Sequence, residues 1–479
     1  MSSMTTLLTR NGVLLALAVL SFTRMLSGGA TTSRVRHTII AASVAAAPAG
    51  GNYLTFSFDN ATLNARHAVA FDAVLSGPPP TFGVFVGDGN TTSTIALGVN
   101  PNPDAPSFGA VSNPFITRNG EVVFDVNFSD VFRSDGKTIV PLVRVGDPVA
   151  GGGTVMSLLG ERAVTNRGAI AYVAGVSGAA TTQAVFRTDG KRTTTIARDD
   201  IAPPTGGRFT SLLNVDMNER GQVAFKSEMT AGSAENGIFR GEGGHLTPVF
   251  ITNQMAPGGA TIQDCGTPVI NARGQVVAIC LLTNSASRAG LFVGDGMDTV
   301  AIALDGQPAP KGGNYEGVFP GTTRLNDAGE VAFLARLTGG RHGMFRGNGK
   351  RTTTLALAGT GAPGTTGTFQ SFGDVFELGN DNRVAFVAKL VIGVGGVDSS
   401  NNTGIWIGTS DEDLQLLVRT GDVIGGNVLT DLPFAGFSAA GHPLDMNENR
   451  VLWRGNFGPA RALVVSGILD DYDASNEVQ

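Results

Sequence analysis

Asn326–Leu337 reads NDAGEVAFLARL, and near-copies of this stretch recur down almost the whole chain. They read LNARHAVAFDAVL from Leu63, RNGEVVFDVNF from Arg118, TNRGAIAYVAGV from Thr165 and MNERGQVAFKSEM from Met217. INARGQVVAICLL from Ile270, GNDNRVAFVAKL from Gly379 and MNENRVLWRGNF from Met446 complete the set. The first branched apolar residue of each falls at Val69, Val122, Ile170, Val223, Val276, Val331, Val384 and Val451, in steps of 53, 48, 53, 53, 55, 53 and 67 residues. A fixed period of about 50 residues signals one stacked or closed array, overriding the several domains that chain length alone would suggest.

Each period holds four strand-length runs: the VAF strand, a GIFRG-like strand, a TTTIA-like strand and a last one in the Phe-rich segment before the next Asn. The second and third are joined by GDGN at Gly87, SDGK at Ser134, TDGK at Thr188, GEGG at Gly241, GDGM at Gly294 and GNGK at Gly347. Asp-Gly and Asn-Gly supply the positive φ that a tight hairpin needs. Ala-Pro-Gly-Gly loops at Ala47, Ala202, Ala256, Ala309 and Ala362 separate the third run from the fourth. The Asn-x-x-Gly step before each VAF strand reads as turn chemistry, because Asn bonds its own backbone and Gly takes the unusual φ.

Four antiparallel strands in about 53 residues is the size of a propeller blade. Seven complete units are preceded by a half unit, His37 to Phe58, and followed by a half unit, Arg450 to Ser466. Pairing of these N- and C-terminal half units predicts an all-β, eight-bladed β-propeller with no open ring edge. The domain expected is residues 31–467, with an acidic tail over 468–479. Residues 1–30 hold Arg10 and an apolar run, Val13 to Phe22, that reads either as a secretory signal peptide or as a degenerate repeat. The run is shorter than the roughly 20 apolar residues a membrane-spanning helix needs.

Composition narrows the function classes. With 67 Gly, 22 Pro and 15% charged residues the chain suits short strands and tight turns. A net charge of -6 with scattered Lys and Arg gives no basic stripe, which disfavours nucleic acid. Cys265 and Cys280 exclude a disulfide-dense scaffold and a CxxC metal site, and their positions in two different units predict free thiols. His37, His67, His245, His342 and His442 lack metal-ligand spacing, and no Gly-x-Ser-x-Gly elbow is present.

Two sets of residues stand out as candidate binding positions. The hairpin acids Asp88, Asp135, Asp189, Glu242 and Asp295 would share one face of a ring, where they would draw a cation unless turn chemistry consumes them. Just after VAF stand Asp72, Asp125, Lys226 and Arg454, charges out of place in strands expected to flank the central channel. An Arg454–Asp72 ion pair is the structural alternative there.

NDAGEVAF, NERGQVAF and GMFRGNG also resemble a family of secreted bacterial tandem-repeat proteins named for the NxxGxxAF motif, in which varied terminal anchors follow the repeats. The resemblance implies an exported or cell-surface propeller and brings no catalytic residues; the hydrophobic C-terminal anchor usual in that family has no counterpart here. The expected function is a monomeric binding module for a glycan, protein or cation, its cofactor unknown. The alternatives are a carbohydrate-active enzyme with paired carboxylates at the channel mouth and a structural surface-layer protein.

Overall fold

The computed structural model describes residues 22–25, 34–54, 60–77, 80–100, 106–434 and 444–469. Eight four-stranded antiparallel sheets form a ring, and every sheet element among the described residues is a strand or hairpin, with no helix. Blade 4 sets the pattern: Arg208–Met217, Val223–Thr230, Asn236–Gly241 and Leu246–Ile251 lie in that spatial order from channel to rim. The first strands of blades 1, 2 and 3 are Ala61–Leu63, Val111–Ile116 and Thr154–Val164. Those of blades 5 to 8 are Thr261–Cys265 with Val269–Ile270, Tyr315–Leu325, Phe369–Leu378 and Leu444–Asn447.

The VAF run is therefore the second strand of its blade, one place out from the expected phase. The reason is local. The Asn-x-x-Gly turn is a tight hairpin that ties the Phe-rich run to the VAF run after it, while the Ala-Pro-Gly-Gly loop crosses from one blade to the next. Asp-Gly hairpins consequently join third and fourth strands.

Ring closure holds, with a different division of labour. In blade 8, Leu444–Asn447, Arg450–Phe457 and Ala460–Leu469 supply three strands, and Arg34–Ala42 adds the fourth by pairing with Ala460–Leu469. Phe22–Met25 pairs onto the outside of Arg34–Ala42. Tyr53 bridges Leu75 and so belongs to blade 1, while Phe58, the rest of residues 1–30 and residues 470–479 of the tail lie outside the described residues.

Sandwiching between neighbours buries both faces of the second strand, which is why it reads as a continuous apolar run. Phe71, Phe124, Phe225, Phe333 and Phe386 are all 0% exposed. Each of the first four faces a Phe of the third strand in register, Phe85, Phe132, Phe239 and Phe345, with ring centroids 5.6, 6.3, 5.9 and 5.5 Å apart. Such pairs add about 0.5–1.5 kcal/mol beyond area burial. In blades 1, 4 and 6 the third strand makes room by placing Gly two residues earlier: a Cβ on Gly343 would sit 2.6 Å from the Phe345 ring.

The repeated Asn stitches blade to blade. Asn326 Oδ1 accepts the Ala328 and Glu330 amides at 3.1 and 2.9 Å, closing its own turn, while Nδ2 donates to Gly379 O of the next blade at 3.0 Å. Asn64, Asn218 and Asn271 repeat the outward bond, donating to Thr117 O, Asn271 O and Asn326 O at 3.0, 2.8 and 3.0 Å. A buried amide suits the place because it satisfies donors behind it and an acceptor ahead of it without water, while Thr117, Thr165 and Gly379 take the same turn position in blades 2, 3 and 7.

Candidate functional site

The first strands depart from the repeat where they face the channel. In blade 2, Ser112 faces Asp125 and Phe115 faces Val123, so Asn113 and Pro114 bulge out of the ladder. In blade 3, Gly160, Glu161 and Arg162 lie between two successive pairs, Leu159 with Val173 and Ala163 with Ala171. Blade 4 bulges at Asn214, blade 5 over 266–268, blade 6 over 319–322 and blade 7 over 373–375. Bulges re-aim side chains and end pairing, and they concentrate at sites. Asn113 and Asn214 hold φ of 50° and 44°, the left-handed region that Asn tolerates better than most residues.

The bulges of blades 2, 3, 5, 6 and 7 wall a cavity of about 1210 Å³ in the channel, which extends between blades 2 and 3. Its carboxylates are Asp125, Asp130, Glu161, Asp264, Asp374 and Glu377, and its cations are Arg162 and Arg324. Arg162 Nε lies 3.1 Å from Asp125 Oδ1 and Nη2 donates to Asn113 O at 2.7 Å, joining the bulges of blades 2 and 3. Burial raises the Asp125 carboxyl above its ordinary range, with Arg162 and the Asn113 amide pulling the other way. Arg324 forks onto Glu377, Nε to Oε2 and Nη2 to Oε1 both at 3.0 Å.

Toward the Asn turns the channel wall is structural. Asp216 Oδ2 accepts Ile270 N at 2.8 Å, and Asp445 Oδ2 accepts Leu63 N at 2.7 Å, each carboxylate reaching the next blade. Burial pushes Asp216 up to about 6. The same burial, with the Glu377 charge added, pushes Asp445 up to about 7.

The four post-VAF charges do not line the channel as inner-strand residues, because their strand is the second. Two of them reach forward to the next blade's first strand instead. Asp125 meets Arg162, and Lys226 Nζ donates to Asp264 Oδ2 at 2.9 Å. Asp72 accepts Asn60 N at 3.2 Å and Asn60 Nδ2 at 2.7 Å, within its own blade. Arg454 sits opposite Leu463 in blade 8. The hairpin acids are spent on their own turns: Asp189 Oδ1 accepts Lys191 N and Arg192 N, both at 2.8 Å, and these bonds lead the causes that lower its pKa. Asp88, Asp135 and Asp295 repeat the arrangement. Among the described residues no group of three or more His, Cys, Asp or Glu is arranged to hold a metal ion. Glu242 takes the same turn position in blade 4.

Cys265 and Cys280 are disulfide-bonded, with Cα atoms 4.0 Å apart, and not the expected free thiols. The phase of the strands explains the reversal: Cys265 ends a first strand, Cys280 lies in the second strand of that same blade, and the two are direct cross-strand partners. Cys265 lines the cavity.

Phe128 is the cavity residue that sequence reasoning passed over most completely. It sits in the hairpin between the second and third strands of blade 2, 77% exposed, at φ 57° beside Asn127 at φ 51°. A bulky side chain at positive φ is an outlier that costs on the order of 1–3 kcal/mol and persists where surroundings impose it. The bulges themselves left one mark in the sequence. The 55-residue step ends at Val331, the blade in which Val318 to Thr323 spans only Ala335 to Phe333 of its neighbour.

A model of a family described as a family of unknown function, DUF7453, matches residues 26–225 and 127–450. The chain belongs to this family. No protein of curated function matches this DUF7453 chain. Among solved structures it is similar to a Mycobacterium tuberculosis puromycin-hydrolyzing peptidase at 13% identity, covering 84% of this chain and 57% of that one, with TM-score 0.39. YCF48 from Cyanidioschyzon merolae matches at 14% identity over 73% and 96% of the two chains, TM-score 0.35. Trypanosoma rangeli sialidase matches at 12% identity over 95% and 61%, TM-score 0.29. The DUF7453 chain thus spans little more than half the length of the peptidase, and these likenesses carry no argument about its chemistry.

Proposed function

We propose that this DUF7453 chain is an exported, ring-shaped binding protein whose ligand site is the bulged channel cavity. The observation that carries the reading is the placement of the irregularities. The ladder of each repeat would close without them, yet bulges interrupt five first strands at the depth of one cavity. A cavity with convergent polar groups is the default ligand site. Export is supported by the Cys265–Cys280 disulfide, since disulfides persist in oxidising compartments, and by the apolar run Val13 to Phe22. The NxxGxxAF resemblance points the same way.

Binding is favoured over glycoside hydrolysis. Hydrolysis needs two carboxylates free to act as acid and as base or nucleophile. Three of the six cavity carboxylates, Asp125, Asp264 and Glu377, are instead each held in an ion pair, and Asp130 spends one oxygen on Val145 N. The test is hydrogen–deuterium exchange with any ligand that raises the melting temperature in a library of glycans, peptides and amines. Protection should fall on 113–114, 160–162, 266–268 and 373–375 and leave the Asp-Gly hairpins unchanged. Protection confined to the hairpins or outer loops would overturn the proposal.

A further inference from the structure

We infer that the cavity takes an organic cation, its ammonium or guanidinium group held by Asp130 and Glu161 and its carbon skeleton lying over Phe128. The inference rests on the reading of the cavity as a ligand site and names the class of ligand.

The first ground is charge. Six carboxylates and two guanidiniums line the cavity, and three of the carboxylates already have their cations: Asp125 has Arg162, Glu377 has Arg324 and Asp264 has Lys226. Asp130 and Glu161 form no ion pair among the described residues, and Asp130 spends only Oδ1 on Val145 N, at 2.9 Å. A cleft with low-dielectric walls and one sign of charge focuses its field, so the surplus draws cations in and keeps anions out.

The second ground is Phe128 itself. It stands on the same hairpin as Asp130 and across the blade 2 to blade 3 cleft from Glu161, where the Arg162–Asn113 bond brings the two bulges together. Most large aromatics of the chain are fully buried against the repeat, whereas this ring is exposed on a cavity wall and packs no core. The face of an aromatic ring attracts a cation through its quadrupole, more strongly as water is excluded. Carboxylates and an aromatic face together suit a cationic group with an attached hydrocarbon part. A phosphate, a sulfate or an acidic sugar would meet repulsion instead.

Calorimetric titration of the full chain decides it, with arginine methyl ester and spermidine as cationic probes, cellotriose as a neutral probe and citrate as an anionic one. The cationic probes should bind, and their affinity should fall as sodium chloride rises from 20 to 200 mM. Phe128→Ala and Glu161→Gln should each weaken binding about tenfold, while Glu242→Gln at an outer hairpin leaves it unchanged. Phe128→Gly provides the control for folding, because it relieves the positive φ and should hold or raise the melting temperature while still losing the cation. Binding of cellotriose or citrate in preference to the cations, lost on Phe128→Ala, would overturn the ligand class and leave the site standing. Cation binding that none of the cavity substitutions alters would overturn the site as well.

Discussion

The same eight first strands have two unlike stretches. Near the Asn-x-x-Gly turns four of them share one geometry, with buried Asn64, Asn218, Asn271 and Asn326 each bonded to the next blade. A few residues earlier they differ in almost every blade: Asn-Pro in blade 2, Gly-Glu-Arg in blade 3, a single Asn in blade 4, Gly-Asp-Val in blade 7. The shared geometry marks bonds that hold one blade to the next. Divergence marks positions released from that duty, and there the strand spends extra residues on the cavity.

The largest effect expected tests whether the uniform part is one cooperative frame. Ending the chain at residue 443 removes three strands of blade 8 and leaves Arg34–Ala42 without its partner. Thermal melting followed by circular dichroism should then show no cooperative transition, and an unchanged midpoint would refute closure. Next comes a direct contrast between the two stretches. Asn326→Ala removes four hydrogen bonds, to Ala328 N, Glu330 N, Gly379 O and Asn382 Oδ1, and at about 1 kcal/mol each should cost about 4 kcal/mol. Thr267→Val in the blade 5 bulge loses one bond, from Asn214 Nδ2 at 2.8 Å, and should cost about 1 kcal/mol or less. Equal losses in chemical denaturation would erase the distinction between frame and site.

The disulfide ranks third. Thiol titration under denaturing, non-reducing conditions should find none, and reduction should lower stability by about 3 kcal/mol, the loop-closure value for a 15-residue separation. The ring should survive, since the two strands stay paired in the ladder. Smallest is the pH response of the turn end. Asp445 at about 7 and Asp216 at about 6 lie above the ordinary carboxyl value, so the folded state binds protons that the unfolded state does not. Stability should therefore rise by about 2 kcal/mol as pH falls from 8 to 6, and keep rising until it levels off below about 3. Asp445→Asn should flatten most of that slope, and a slope of opposite sign would show that the two carboxyls stay ionised in the ring.

Architecture was legible because blade number depends only on counting repeats, and eight VAF copies made eight blades. Strand phase was not, since a cyclic repeat has no natural starting point, and only the tightness of the Asn-x-x-Gly hairpin shows where a blade begins. That one-strand error carried over directly to Cys265 and Cys280, which it assigned to different blades. Asp125 and Lys226 stand out in the sequence as charges within an apolar strand, but their partners Arg162 and Asp264 stand on strands that repeat alignment treats as noise. Phe128 left no signal: within RNGEVVFDVNF it looks like one more apolar residue.

The Asn stitch has a consequence for assembly. A donor side chain on one unit and an acceptor carbonyl on the following unit make a head-to-tail contact, the kind that builds open filaments unless its rotation returns to the starting point. A duplicated gene segment would carry both halves of that contact into the seams that use it. Lengthening is checked only where Ala460–Leu469 must find Arg34–Ala42, so a single pair of strands acts as the gauge that limits this chain to eight copies.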